Sequence, residues 1–177
     1  MSIIYEDTRQ QAGKHEAKHE WWAAHGVTLE RRRLDTGDYM RDGSNVTVDT
    51  KKGLEEIAQN IGGRSHRRFS EECKRAQRDG LRLVVLVENV GGFSSLRDVP
   101  RWTNTHCVKC SVRKAANCNP RDLKGKCAKH GTKKPIQGEQ LCRAMATMTK
   151  RYGVVFDFCT PQDAARRVCE YLGVQYD

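Results

Sequence analysis

Three features of this 177-residue chain predict an α/β fold, with helices packed on a mixed β-sheet. Extended and helical segments alternate along its length. Leu83 to Val87 is apolar throughout, as expected of a strand buried on both faces. Arg41-Asp42-Gly43-Ser44-Asn45 is a turn cluster between two extended runs, which predicts a hairpin.

The elements follow in order. Ile3 to Glu6 reads as a short strand. Lys14 to Ala24 reads as an amphipathic helix with a polar, basic face and tryptophans turned to the core. Thr28 to Arg33 is extended and leads to Asp38, and Val46 to Lys51 is the strand beyond the turn cluster. Leu54 to Ile61 is a helix; Gly62 to Arg68, glycine-rich and basic, is expected to be a flexible loop. A helix over Phe69 to Arg78, the Leu83 to Val87 strand, a helix over Glu139 to Lys150 and a strand over Val154 to Phe158 come next. The last helix is expected from Pro161 to Leu172, with Thr160 as its cap and Pro161 at its first position.

The chemistry concentrates at Asp49-Thr50-Lys51, eleven residues after Gly37-Asp38. The hairpin places Asp38 and Asp49 on neighbouring strands, and alternation along a strand turns Asp49 and Lys51 to one face. Two carboxylates offer hard oxygen ligands for Mg²⁺ or Mn²⁺. A lysine beside them can position an attacking water and offset charge on a phosphate. That set suits metal-dependent phosphodiester hydrolysis. An Asp-x-Lys triplet alone also occurs as a solvated strand face, so the order of the surrounding elements decides its weight.

That order, with its motifs, resembles the XPF-type nuclease domain, a branch of the PD-(D/E)XK restriction-endonuclease-like superfamily. The family pattern is Asp-x-Arg early, then Gly-Asp, then Glu-Arg-Lys, three residues, and Asp. Asp7 and Arg9 match the first element and Gly37-Asp38 the second; Asp49-Thr50-Lys51 replaces Glu-Arg-Lys, and Glu55 falls at the last acid. The resemblance covers residues 2 to 98 and 136 to 173. It implies a restriction-endonuclease-like three-layer sandwich around a central mixed sheet. It also implies an endonuclease cutting branched or flapped DNA, and a homodimer. Asp38 and Asp49, with the Thr50 carbonyl, are the expected Mg²⁺ or Mn²⁺ ligands. Lys51 is expected to position the water, Asp7 and Glu55 to support the site, and Arg9 to contact a phosphate. Threonine stands at position 50 where relatives carry arginine, leaving Arg9, Lys52 or Arg64 to make that contact.

The net charge of +10 is concentrated. Residues 101 to 134 hold ten lysines and arginines and one acid, Asp122, while the rest of the chain is nearly balanced. Such a segment suits a phosphate backbone. It also carries Cys107-x2-Cys110, Cys118 and Cys127-x2-His130. With almost no apolar residues it cannot build a core, and a structural Zn²⁺ would tie it together. The first choice of ligands is Cys107, Cys110, Cys127 and His130; the second is Cys107, Cys110, Cys118 and Cys127. We therefore expect a nuclease domain over residues 1–98 and 136–177, with a zinc-binding insertion over 99–135. Arg64, Arg67, Arg68, Arg113, Lys114, Lys124 and Lys126 are candidate DNA contacts. Cys73, Cys142, Cys159 and Cys169 are scattered and read as core fillers.

Two other functions compete. One is a non-catalytic nucleic-acid-binding module on the same scaffold. The other is a zinc protease, because His15-Glu16-Ala17-Lys18-His19 spells H-E-x-x-H. Against it, Trp22 occupies the place of the glycine that turns the chain in the extended motif, and His25 falls off the shared helix face. No apolar run reaches membrane length, and the polar start lacks a signal peptide. A reducing, cytoplasmic location without membrane contact is expected.

Overall fold

The computed structural model describes residues 3–11, 13, 15–63, 65–122 and 124–177, with side chains except those of Lys114 and Ala115. The elements are β1 (Ile3–Asp7), α1 (Glu16–Ala24), β2 (Thr28–Arg32), β3 (Tyr39–Met40), β4 (Val46–Lys51), α2 (Leu54–Gly62), α3 (His66–Arg78) and β5 (Arg82–Glu88). A 3-10 turn (Val99–Arg101), α4 (Thr105–Val108), α5 (Ser111–Ala115), α6 (Gly138–Tyr152), β6 (Val155–Cys159) and α7 (Ala164–Leu172) follow. Lys14, the expected first residue of α1, lies outside the described residues.

The six strands form one mixed sheet in the order β2-β1-β3-β4-β5-β6. β1 pairs parallel with β2, β4 with β5 and β5 with β6, while β3 is antiparallel to both β1 and β4. Two reversals cancel, so β1 and β4 run the same way and only β3 opposes the rest. The carboxyl ends of β1, β4 and β5 and the start of β3 therefore share one sheet edge.

Alternation along the strands divides two cores. Leu83, Val85 and Val87 face α2, α3 and α6; Val84 and Leu86 join α1 and α7 on the other face. The result is a three-layer α/β/α sandwich, the restriction-endonuclease-like architecture expected. Trp22 is fully buried, and its indole N–H donates to the Ala165 carbonyl (3.1 Å), tying α1 to α7. Cys73 and Cys169 fill the cores, Cys142 and Cys159 pack at their edges, and burial pushes the Cys73 and Cys159 thiols up to about 12.

Three local expectations are corrected. Residues 66–68 form the first turn of α3 rather than a loop, because Phe69 three residues on is buried in the core and anchors the turn before it. α7 starts at Ala164, not Pro161. Thr160 Oγ1 accepts from the Asp163 amide (3.3 Å) and its carbonyl does the same (3.1 Å), so residues 160–163 make a turn before the helix. Val99 and Trp102, placed in the insertion on sequence, are buried in the core against α6. Gly138 permits this approach, since a Cβ there would lie 2.2 Å from the Val99 carbonyl oxygen. The chain leaves the core after Asn104 and returns at Gln137, and both residues are buried. No side chain between 103 and 135 joins either core among the described residues. No helix among them is long and apolar enough to cross a membrane.

Candidate active site

The shared sheet edge opens into a cleft of about 450 Å³ lined by Asp7, Arg9, Asp38, Asp49, Thr50 and Lys51, among others. Backbone pairing sets the carboxylates. The Asp7 amide donates to the Asp38 carbonyl and the Asp38 amide to the Val48 carbonyl, both at 2.8 Å, so Asp38 is held between β1 and β4. Gly37 makes the turn into β3 with φ 74°, and a Cβ there would lie 2.1 Å from Thr47 Oγ1. Glycine is therefore needed for two reasons, handedness and space.

Asp49 and Lys51 share the α2/α3 face of β4, as alternation requires, and both are buried. The Lys51 ammonium lies 2.7 Å from each oxygen of Asp49 and donates its hydrogen bond to Oδ1. Asp49 Oδ2 is buried and has no hydrogen-bond partner among the described residues. Burial holds the Asp49 carboxyl well above the usual carboxylate range against the pull of Lys51, and the charges of Asp38 and Glu72 add to it. Burial disfavours the Lys51 ammonium, but the carboxylates of Asp49 and Asp38 outweigh it and raise its pKa. Asp38 Oδ2 accepts from the Thr50 amide (2.8 Å) and hydroxyl (2.9 Å). Arg9 Nε lies 2.6 Å from Asp7 Oδ2, leaving most of the arginine exposed at the rim.

Glu55 does not reach the cleft. Its carboxylate accepts from the Thr105 amide (3.0 Å) at the neck of the insertion. Neighbours on a helix are turned about 100° apart, and it is Glu56 that faces Lys51, at 3.8 Å. Sequence reasoning missed Glu72 of α3, which accepts from the Gly37 amide (2.9 Å), and the nearly buried pair of Lys18 and Glu88 (2.7 Å). Lys18 had the spacing of a solvated face; only its partner, seventy residues on, explains its burial.

Among the candidate DNA contacts, Arg68 lines the cleft and Arg67 is exposed beside it. Arg113 lines a second cavity, Lys124 and Lys126 are exposed on the insertion, and Arg64 and the Lys114 side chain lie outside the described residues. That second cavity, about 310 Å³, brings together Cys107, Cys110, Cys118, Cys127 and His130. The buried Gln137 amide donates to Cys107 Sγ at 3.4 Å. Burial raises the Cys107 thiol pKa, to which the charges of Cys127, Cys118 and Cys110 add. No three His, Cys, Asp or Glu side chains among the described residues are drawn close enough to make a finished metal cage.

The H-E-x-x-H histidines do not converge either. His15 bonds to Gln10 Oε1 (2.9 Å), whereas His19 bonds to the buried Glu6 (2.9 Å), and His25 stacks on Trp21. Each ring is thus committed to a different partner, and no three metal-ligating side chains gather around them among the described residues, which removes the basis of the protease reading.

No protein-family model and no curated protein sequence matched the chain. Its fold is similar to that of XPF from Aeropyrum pernix, with a TM-score of 0.55, 17% identity, and coverage of 97% of this chain and 60% of that one. For XPF from Aeropyrum pernix in complex with DNA the TM-score is 0.57 and the identity 16%, covering 98% of this chain and 64% of that one. The chain thus spans under two thirds of either structure and matches the XPF nuclease fold.

Proposed function

We propose that this protein is a divalent-metal-dependent endonuclease that hydrolyses phosphodiester bonds in branched or flapped DNA. One observation carries the reading: Asp38, Asp49 and Lys51 meet in a cleft at the carboxyl edge of a sheet with the XPF nuclease fold. An XPF solved in complex with DNA supports the substrate class.

Asp38 and Asp49 would hold Mg²⁺ or Mn²⁺, with the Thr50 carbonyl as the third ligand implied by the resemblance. The donor set fits. Both acids supply hard oxygens on the cleft, and Asp49 Oδ2, though ion-paired with Lys51 (2.7 Å), accepts no hydrogen bond among the described residues. Mg²⁺ is commonly held by one or two carboxylates and keeps its waters, so a tight three-residue cage is not required. When bound, the ion polarises a phosphoryl oxygen and makes its water more acidic. Lys51 keeps a positive charge beside these carboxylates, where it orients the attacking water and offsets charge developing on the phosphate. Arg9, Arg68 and Arg75 line the same cleft and present guanidinium groups to the phosphate backbone. Asp7 anchors Arg9.

The insertion is proposed to bind a structural Zn²⁺ and to add grip on DNA. Of the two ligand sets, Cys107, Cys110, Cys118 and Cys127 is favoured: all four thiols are half-buried on one cavity, whereas His130 is exposed. The N–H donated by Gln137 to Cys107 suits a thiolate ligand. A homodimer is proposed on the resemblance alone. The deciding test compares wild type with Lys51→Ala on linear, flapped and four-way labelled DNA with Mg²⁺ or Mn²⁺. Cutting that the variant loses supports the nuclease; binding without cutting would move the function to the insertion and leave the fold as scaffold.

A further inference from the structure

The first histidine of the H-E-x-x-H segment is left over by the proposed chemistry, yet it sits in the cleft wall. It is part of a continuous chain of polar contacts. The Gln10 side-chain amide contacts Asp38 Oδ1. Gln10 Oε1 lies 2.9 Å from His15 Nε2. His15 Nδ1 lies 3.2 Å from the Lys18 ammonium, which is 2.7 Å from Glu88 at the end of β5. Lys18 and Glu88 are both nearly buried.

Among these contacts of the described residues, one assignment of protons satisfies every link. An ionised Asp38 accepts only, so Gln10 must present its NH₂ to it and its carbonyl to His15. That carbonyl accepts only, so His15 must carry its proton on Nε2. Nδ1 is then a bare acceptor, which is what the donor-only Lys18 ammonium requires. Glu88 balances the lysine charge. The polarity of the chain is set at both ends by carboxylates, and these links call for one ring proton on the histidine between them, on Nε2.

We infer that Gln10 and His15 are positioning residues for the metal-binding carboxylate Asp38, with Lys18 and Glu88 as the anchor that selects the His15 tautomer. Thr50 holds Oδ2 from one side and Gln10 holds Oδ1 from the other, so the carboxylate plane is set before a cation arrives. Outer partners of this kind set the orientation and basicity of a ligand. This role rests on the metal-dependent reading above, but the tautomer does not.

The test has two independent readouts. Nitrogen-15 NMR of the histidine rings at neutral pH is expected to find His15 as the Nε2–H tautomer. An Nδ1–H ring or an imidazolium would overturn the inference whatever the metal does. Mn²⁺ affinity without DNA, followed by electron paramagnetic resonance, is expected to fall about tenfold in Gln10→Ala and His15→Ala. His15→Gln, whose amide can donate and accept at the two ends as the ring does, is expected to recover most of that loss. Circular dichroism establishes that each variant is folded. If Asp38→Ala weakens Mn²⁺ binding while Gln10→Ala and His15→Ala bind as wild type, the positioning role is wrong and the metal reading stands. If His15→Gln is as impaired as His15→Ala, the imidazole acts by packing and the inference falls. If wild type binds no Mn²⁺, or Asp38→Ala is without effect, the metal reading falls and takes the positioning role with it.

Discussion

Lys51 and Asp49 form a buried ion pair, and this makes the lysine proposed for catalysis a structural residue as well. Removing one member of a buried ion pair strands the other and costs about 3–5 kcal/mol, whereas removing both together can be nearly neutral. Lys51→Met is therefore expected to lower stability by about 3–5 kcal/mol, and Asp49→Asn in the same chain to restore much of it. Cleavage should stay about 100- to 1,000-fold down in both, the range for loss of a preorganised charge-stabilising group. Urea unfolding and single-turnover cleavage, measured side by side, separate the two effects. Gly37→Ala forces a Cβ toward Thr47 at a left-handed φ and is expected to cost about 1–3 kcal/mol of unfolding free energy by denaturant titration. Asp38, Asp49 and Lys51 were legible because hairpin pairing and strand alternation are local rules. Glu72, Glu88 and buried Lys18 were not, because each owes its place to a partner distant in sequence.

At the level of elements, the segment leading into the insertion is held by one acid. Asp98 Oδ2 accepts from the amides of Ser94 and Ser95 (both 3.0 Å) and from their hydroxyls, and Oδ1 pairs with Arg101. The Ser94 amide and hydroxyl, with Ser95 and Arg101, hold its carboxyl down at about 2. A folded-state pKa below the ordinary value stabilises above the unfolded pKa, and that contribution fades as pH falls through the folded one. Asp98→Asn should thus melt at a lower temperature than wild type at pH 6, with the two curves converging from pH 4 toward pH 2 and below. Melting scans across that range would check it, and the gap should be small because the group is at the surface. Elements with one strong signal, such as apolar β5, were readable. The 66–68 turn of α3 was not, because its glycine-rich approach resembles a loop while Phe69, already in the core, dictates helix.

On the scale of the whole molecule, the insertion is carried by a closed neck. The Gly138 amide donates to the Trp102 carbonyl (3.0 Å), and the Asn104 amide to Gln137 Oε1 (3.2 Å), so the two chain ends emerge side by side. Replacing residues 105–136 with a short Gly-Ser linker is expected to leave a folded, cooperative sheet domain. DNA binding should weaken and log K against log salt should become shallower, since the phosphate contacts proposed for this basic segment would be gone. Binding isotherms at several salt concentrations would measure that slope, and an unchanged slope would remove the insertion from the DNA interface. Composition alone located this segment, because its charge and cysteines stand out from the balanced remainder. Where the neck begins was hidden, because Val99 and Trp102 pack into the core against α6, which lies beyond the insertion.

The lone reversed strand bears on when the cleft can form during synthesis. Because β3 is wedged between β1 and β4, and β5 completes the cleft, the working edge draws on residues 7, 38, 49 and 88. β5 in turn is flanked by β6, which follows the insertion in the chain and so emerges after it. Contacts this distant in sequence close late in folding. If the cleft cleaves as proposed, competence would come late in synthesis, once β5 and β6 have completed the sheet that frames it.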